Sequence, residues 1–516
     1  MIQNHGTKTA IKYGAEAISY EQMLQSIQQF AADYPLQEGA NAVVFSENRP
    51  SYIYAFYAIW KQKGVAIPVD YLCTSHELAY ILNDSRPALV YCSVKTRAVV
   101  EEALSISGLI IRIIVLEEAE QTKQQVKNLI DFPEANPESA AVIIYTSGTT
   151  GSPKGVVLSY KNLMQNVKAV SDHIPIYNAD SRVLVLLPLH HIFPLMGTMI
   201  CPLHVGAMIA ISPSMLSEDI MATLQNNKIT IIIGVPRLYA AIRKGIMDKV
   251  NKSFVAKTLF ALAKKIDSKT FSRKVFGAVH RKLGGAVENL VAGGAALDPA
   301  VGADFKTLGF EVLEGYGMTE AAPMITFTRP GRVRIGSPGE AMHGTSIRIV
   351  DGEITAAGEN IMMGYYNRPE ETAAVLKDGW LYTGDLGRMD EDGYLYITGR
   401  KKEIIVLSNG KNVNPTEIEE EILSAPLVRD CGVFAMNDQL HIMLVPEIAE
   451  QQTDNEALKS RMIREVIEPY NKRVSAYKKV IGIHITDQEL PRTRLGKLQR
   501  FKLAEMVVKK PETKLP

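Results

Sequence analysis

Cysteine is scarce in this sequence of 516 residues: Cys73, Cys92, Cys201 and Cys431 are far apart and form no CxxC pair. That usage supports neither a zinc site nor a disulfide framework, and it fits a reducing, cytoplasmic compartment. Long apolar runs are missing too. The stretch LIIRIIVL is broken by Arg112, and the opening MIQNHGTKTA has no apolar leader segment. A protein outside the membrane, or at most peripheral to it, is expected. Neither sign of charge is in excess, with 57 Lys+Arg against 56 Asp+Glu. No overall field would recruit nucleic acid, so binding charge has to be local. No internal repeat is visible.

What is present is ordinary core-forming material: 46% hydrophobic and 22% charged residues, in a chain long enough for roughly two to four domains. Strand-like and helix-like runs alternate through NAVVF, YIYAFYAIWKQKG, VAIPV, HELAYILNDS and ALVYCS. The alternation resumes in RVLVLLPL, AMIAIS, EDIMATLQNNK, ITIIIGVP, ENLVAGG and FEVLEGYG. This is the pattern of buried parallel strands joined by helices. Polar and glycine-rich motifs fall where these strands end, the rim at which open α/β sheets bind ligands. After about residue 330 the texture turns to short strands and turns, such as GEITAAG and DEDGYLYITG. From about 403 an α+β unit begins with PTEIEEEILSA, CGVFAM and LHIMLVP.

The stretch IIYTSGTTGSPKGVV, residues 143–157, runs from a β-branched segment into hydroxyls, glycines and a single lysine, Lys154. Glycines let backbone N–H groups approach an anion, and the hydroxyls and lysine add donors and charge, so the loop reads as a phosphate cradle. It departs from the Walker A pattern, because Lys154 lies between Pro153 and Gly155 and not in a Gly-Lys-Ser/Thr step opening a helix, which disfavours a P-loop NTPase. Four other stretches extend the theme: VAGGAALD with Gly293 and Gly294, EGYGMTE with Tyr316, Gly317, Thr319 and Glu320, YTGDLG with Asp385, and TGRKKEIIVLSNGKNV with Arg400. Glycines admit a flat ligand, Tyr316 offers an aromatic face, Thr319 a hydroxyl, and Glu320 a carboxylate for a hard cation such as Mg2+. Asp385 is expected in a turn, where it could accept hydrogen bonds from a ribose diol. Taken singly, each has an ordinary structural reading as a turn, core or helix-start residue.

Together with PLHHIFP, GEITAAGENIMMGYYNRPEET and PRTRLGKLQR, these motifs stand in the order of the adenylate-forming superfamily, and the sequence resembles its members over roughly residues 20 to 505, the long-chain fatty acyl-CoA synthetases in particular. The resemblance implies an α/β N-terminal domain of parallel sheets with helices, residues 1–400 with a β-rich subdomain at about 330–400. A hinge at Lys402 would join it to a mobile α+β domain, 403–516. It implies that Thr146, Ser147, Gly148, Thr149, Thr150, Gly151 and Lys154, with Thr319, hold the phosphates of ATP. Gly293, Gly294, Tyr316 and Gly317 would hold the adenine, Asp385 and Arg400 the ribose, and Glu320 the Mg2+. Lys497 would bridge the attacking carboxylate and the α-phosphate, His191 would stand beside the acid, and Gly410, or Asn409 as fallback, would line the path of the coenzyme A thiol.

Between His191 and Glu218 there is no acidic residue. An α-amino acid, whose ammonium would need a buried counter-charge, is therefore disfavoured. The apolar FPLMGTMICPLHVGAMIAI suits an alkyl chain, and the expected substrate is a medium- to long-chain fatty acid. Coenzyme A leads as acceptor. A carrier-protein phosphopantetheine is the alternative, and an aryl acid the alternative substrate. A reading from another class, a nucleotide sensor without catalysis, is disfavoured by the presence of both Glu320 and Lys497. The stretch Ala241 to Lys282 holds twelve Lys/Arg against two Asp, with Val255, Leu259, Leu262 and Ile266 at helical spacing. It reads either as a helical cover with its charges in water or as a membrane-docking face.

Overall fold

The computed structural model describes residues 2–121, 129–146, 153–407, 411–447, 455–492 and 498–508. The chain divides into two compact units, Met1–Ile347 with Thr355–Tyr382, and Arg348–Ile354 with Thr383–Pro516.

The first unit is built on two large sheets. A seven-stranded sheet has the parallel strands Asn41–Phe45, Val65–Pro68, Leu89–Cys92, Arg112–Val115 and Ala140–Thr146. Two antiparallel strands, Lys154–Ser159 and Gly364–Tyr365, close one edge. A nine-stranded sheet contains a parallel run in which Arg182–Val185, Ile231–Gly234, Asn289–Ala292 and Val312–Gly317 are successive neighbours. The continuous apolar runs read from the sequence follow from this placement, because a parallel strand is covered on both faces. Ile231–Gly234 is buried at every position.

Helices are set by local signals. Ser19 opens Tyr20–Asp33 with a capping box, its hydroxyl accepting the Gln22 N–H while Gln22 accepts the Ser19 N–H, a reciprocal pairing that satisfies two otherwise orphaned donors. Pro50–Lys61 has proline in its first turn and is buried from Pro50 to Trp60, so it is apolar all round and lacks a polar face.

The second unit has its own core around the strands Val428–Met436, Gln439–Pro446 and Val480–Ile485 and the helix Pro415–Leu423. Asn437 and Asp438, at φ 52° and 59°, make the tight turn between the first two strands, a conformation these two residue types tolerate best after glycine. Together the units match the expected α/β body and small α+β unit. No helix among the described residues is long and apolar enough to cross a membrane.

Candidate active site

Because four strands of the nine-stranded sheet run parallel side by side, the segments leaving their carboxyl ends share one rim. From this rim emerge the His190–His191 segment, Gly293–Gly294 and the turn Thr319–Ala321. Gly317 closes the strand Val312–Gly317 at a register shift, and a Cβ there would stand 1.8 Å from the Pro323 carbonyl oxygen. Only glycine fits, and the close approach lets the hairpin fold back directly after Tyr316, which is buried. Gly293 lies against Phe193. A Cβ at that position would meet the Phe193 ring at 2.8 Å, so the space freed by the missing side chain is filled by an aromatic ring of the protein itself.

The phosphate-loop residues Ser147, Gly148, Thr149, Thr150 and Gly151 lie outside the described residues, as do Asn409, Gly410 and Lys497. The flanks of the loop are described. Thr146 pairs with Lys154 across an antiparallel hairpin, so the segment joins two strands, in keeping with its failure to match a strand-to-helix P-loop. Both flanks are tied by tyrosine hydroxyls to one neighbourhood. The Tyr145 hydroxyl donates to Asp84 Oδ2 at 2.7 Å, and the Tyr80 hydroxyl donates to the Pro153 carbonyl at 3.1 Å. Arg368 in turn donates to the Tyr80 hydroxyl at 2.9 Å and stands 3.5 Å from Asp84. Tyr80 and Asp84 share the helix Ser75–Ser85, which therefore anchors the loop at both ends. Burial, and next the Asp84 carboxylate, push the Tyr145 hydroxyl well above its ordinary range, so it stays a donor.

Lys154 and Glu320 are brought together by a residue to which the sequence reading gave no role. Lys154 forms an ion pair with Glu371 and its ammonium lies 5.4 Å above the Tyr365 ring. The Tyr365 hydroxyl donates to Glu320 Oε1 at 2.8 Å. Burial, with the nearby Glu320 and Glu371 carboxylates, drives the Tyr365 pKa upward, fixing it as donor. The edge strand Gly364–Tyr365 against Lys154–Ser159 creates this proximity. Tyr365, Arg368 and Glu371 all belong to the quoted motif MGYYNRPEET, which was the available signal. Among the described residues no cluster of three or more His, Cys, Asp or Glu could hold a metal by itself. The single carboxylate of Glu320 fits a Mg2+ that arrives with phosphates, since Mg2+ commonly takes one or two protein carboxylates and completes its shell with phosphate and water.

His190 is buried and His191 half-buried, with ring centroids 4.1 Å apart. Burial lowers the His191 pKa to about 4; burial and then His191 lower that of His190 to about 2. His190 Nε2 stands 3.6 Å from Asp70 Oδ2. At that length, and with a neutral imidazole, the contact is not an ion pair. Both rings leave Nε2 buried without a hydrogen-bond partner in the structure, an arrangement that suits a polar group arriving with a ligand.

Phe193, two residues beyond His191 in the chain, borders an apolar cavity of about 20 Å³, together with Met196, Gly197, Cys201, Ile233 and Val291 among others. Of the three methionines in the apolar segment, Met196 borders it, Met199 is fully buried, and Met208 packs on the core around Leu184 and Ile232. Glu314, at the start of EGYGMTE, has its carboxyl raised to about 7 by burial.

In the second unit Asp385 is not in a turn. It sits on the buried phase of the strand Trp380–Met389, 3% exposed, with Arg400 Nε 2.7 Å from its Oδ1. The flanking glycines suggested a turn, yet only Gly384 adopts positive φ, at 73°, and the alternation of burial continues through it. Asp385 and Arg400 are directly opposed across an antiparallel pair, so the two expected ribose ligands are together. Lys402 is exposed in the short turn Lys401–Glu403, where Lys401 pairs with the buried Glu353 at 2.8 Å.

A family model described as AMP-binding enzyme matches residues 2–366, and one described as AMP-binding enzyme C-terminal domain matches residues 402–509. The chain belongs to the AMP-binding enzyme family. A long-chain-fatty-acid–CoA ligase of Bacillus subtilis (strain 168) is 27% identical over 553 residues, covering 96% of this chain and 91% of that protein. A sulfoacetate–CoA ligase of Cupriavidus necator is 32% identical over 462 residues, covering 85% of this chain and 82% of that protein. The crystal structure of ATP-bound MatB from Rhodopseudomonas palustris superposes with a TM-score of 0.81 at 24% identity, covering 98% of this chain and 97% of that one, and so shares the fold.

Proposed function

We propose that the chain is an ATP-dependent, AMP-forming acid–CoA ligase whose acid is a medium- to long-chain fatty acid. The observation that carries the choice of acid is the cavity at Phe193, walled also by Met196, Ile233 and Val291 with no charged side chain in its lining. A buried ammonium or carboxylate tail would lack a partner there, whereas a methylene chain would not. The Bacillus subtilis relative supports the same acid.

In this reading the acid's carboxylate oxygen attacks the α-phosphorus of ATP. The bond from that phosphorus to the bridging oxygen breaks, and pyrophosphate leaves. Lys154, Thr146 and Thr319 would hold phosphate oxygens, Glu320, its carboxylate fixed by Tyr365, would hold a Mg2+ that supplies charge neutralisation of the phosphates, and Lys497 would bridge the two anions as they meet. The acyl-adenylate is a mixed anhydride with AMP as leaving group. The coenzyme A thiolate then attacks the acyl carbon, expelling AMP. Asp385 and Arg400 belong to ribose binding, Tyr316 with Gly293 and Gly294 to adenine, and Asn409 or Gly410 to the thiol path. The hinge at Lys402, between domains of residues 1–400 and 403–516, belongs to the same reading. A smaller or aryl acid is the second reading, favoured by the size of the cavity, about 20 Å³, which holds a water but no alkyl chain until Phe193 or Met196 moves.

The deciding experiment measures pyrophosphate release and thioester formation over a panel of fatty, aryl, sulfonated short and amino acids, with coenzyme A and a carrier protein as rival acceptors. Turnover favouring fatty acids of eight or more carbons by about tenfold or more is the expected result, since each buried methylene adds binding energy. Equal turnover of phenylalanine and palmitate refutes the choice of acid.

A further inference from the structure

We propose that the outer face of the helix Phe254–Ile266 docks on an anionic lipid bilayer. This helix is apolar on two arcs. Phe260 and Ala263 pack on the core of the nine-stranded sheet, yet Phe254, Val255, Leu262 and Ile266 are 84%, 65%, 43% and 45% exposed. A helical cover with only its charges in water would bury these four side chains. At 100° per residue they fall within one arc of roughly 120°, facing away from Ala263. Lys265 lies inside that arc and Lys257 and Lys264 border it, all three exposed; no acidic residue occurs in the helix.

The charge around the stripe is mostly positive, although Arg243 and Lys269 are paired with Asp304 and Glu311. The stretch from Ala241 to Lys282 carries twelve Lys/Arg and two Asp, and Asp267 is already paired with Lys306 at 2.7 Å. The Lys282 ammonium is pushed down by the adjacent Lys249, a sign of cations crowded without counter-charge. Lysines at headgroup level with Phe, Val, Leu and Ile reaching the acyl boundary is the pairing that an interfacial helix uses. An acidic protein would meet the charge equally well. The bilayer is favoured because bulky apolar residues stand exposed among lysines along one side of the helix. The inference does not depend on which acid is activated.

The test is co-sedimentation of the full chain with vesicles of phosphatidylcholine and phosphatidylglycerol (3:1) and with pure phosphatidylcholine, each at low and high salt. Binding to the mixed vesicles that falls at high salt is expected. Phe254→Ser/Leu262→Ser and Lys257→Glu/Lys264→Glu/Lys265→Glu should each weaken it by about 10-fold or more. All five changes are on exposed side chains, and circular dichroism together with thioester formation on a detergent-free short acid checks that the variants fold. No binding at low salt, equal binding to pure phosphatidylcholine, or binding unchanged in both variants overturns the proposal. So does a shift of the lipid-free protein from dimer to monomer in the variants, which assigns the stripe to a second copy of the chain.

Discussion

Lys154 is paired with Glu371, and under the proposed function this pairing sets a measurable cost on nucleotide binding. Phosphates that take up Lys154 have to replace Glu371 as its counterion. The side chains of Lys154 and Glu371 are 21% and 38% exposed, which places the pair in the partly screened class worth about 0.5–1 kcal/mol. Glu371→Gln removes the competing charge while keeping shape. Arg368, 3.7 Å from Glu371, stays held by Tyr80 and Asp84, so the loop flanks keep their anchors. The Tyr365 face continues to hold the ammonium through cation–π attraction. The KM for ATP should fall about two- to fivefold, with kcat changed by less than about twofold. The gain should shrink at high ionic strength, where the resting pair is already screened. Initial rates against ATP concentration at two salt concentrations supply the assay, with pyrophosphate release as readout. A KM that rises fivefold would refute the reasoning and make Glu371 a residue that positions Lys154 for catalysis.

Phe193→Ala should open the cavity, raising kcat/KM for long acids relative to short ones by about 3- to 10-fold, whereas Met196→Asp should depress fatty-acid turnover far more than ATP binding because it buries an unpaired charge; competition assays with paired substrates check both. The histidine pair makes stability pH-dependent. Folded pKa values depressed to about 4 and about 2 lie below the unfolded value, so the unfolded chain binds more protons and stability falls as pH drops from about 6.5. His191 alone accounts for about 2 kcal/mol by pH 5, and urea midpoints at pH 7 and 5 should differ less in His191→Gln than in the parent. Lys497→Ala should slow acyl-adenylate formation by about 10² to 10³-fold while sparing thioester formation from supplied acyl-adenylate, and Gly410→Leu should do the reverse. Equal losses in both half-reactions, measured by rapid quench, would refute domain alternation.

Much of the architecture was legible because buried parallel strands leave an unmistakable signature. ITIIIGVP could hardly be anything but a strand, and Ile231–Gly234 is one. Convergence of Gly293, Tyr316 and His191 on one rim followed from the strand–helix alternation together with the positions of the motifs. What remained hidden depended on contacts distant in sequence. The helix HELAYILNDS carries Tyr80 and Asp84 at positions that satisfy an amphipathic pattern whether or not they touch anything polar. Their partners Pro153 and Tyr145 lie 73 and 61 residues away. Gly384 and Gly387 resemble turn residues, which made Asp385 read as a turn aspartate, although the first takes a left-handed φ within the strand and the second makes room for Ile354. Val255 and Leu262 fit an inward-facing helix by spacing alone, and spacing cannot say which of two apolar arcs is covered.

If the proposed function holds, the tightness of the cavity bears on how fast, as well as whether, an acid can enter. A space of about 20 Å³ walled by Phe193 and Met196 accepts a chain only in the fraction of molecules whose side chains have swung aside. The observed dissociation constant is then the intrinsic one divided by that fraction. Association followed by stopped flow should level off at high acid concentration, at the rate of opening, and small acids that need no opening should show no such plateau. A mutation that props the entrance open would tighten binding without making a single new contact to the ligand.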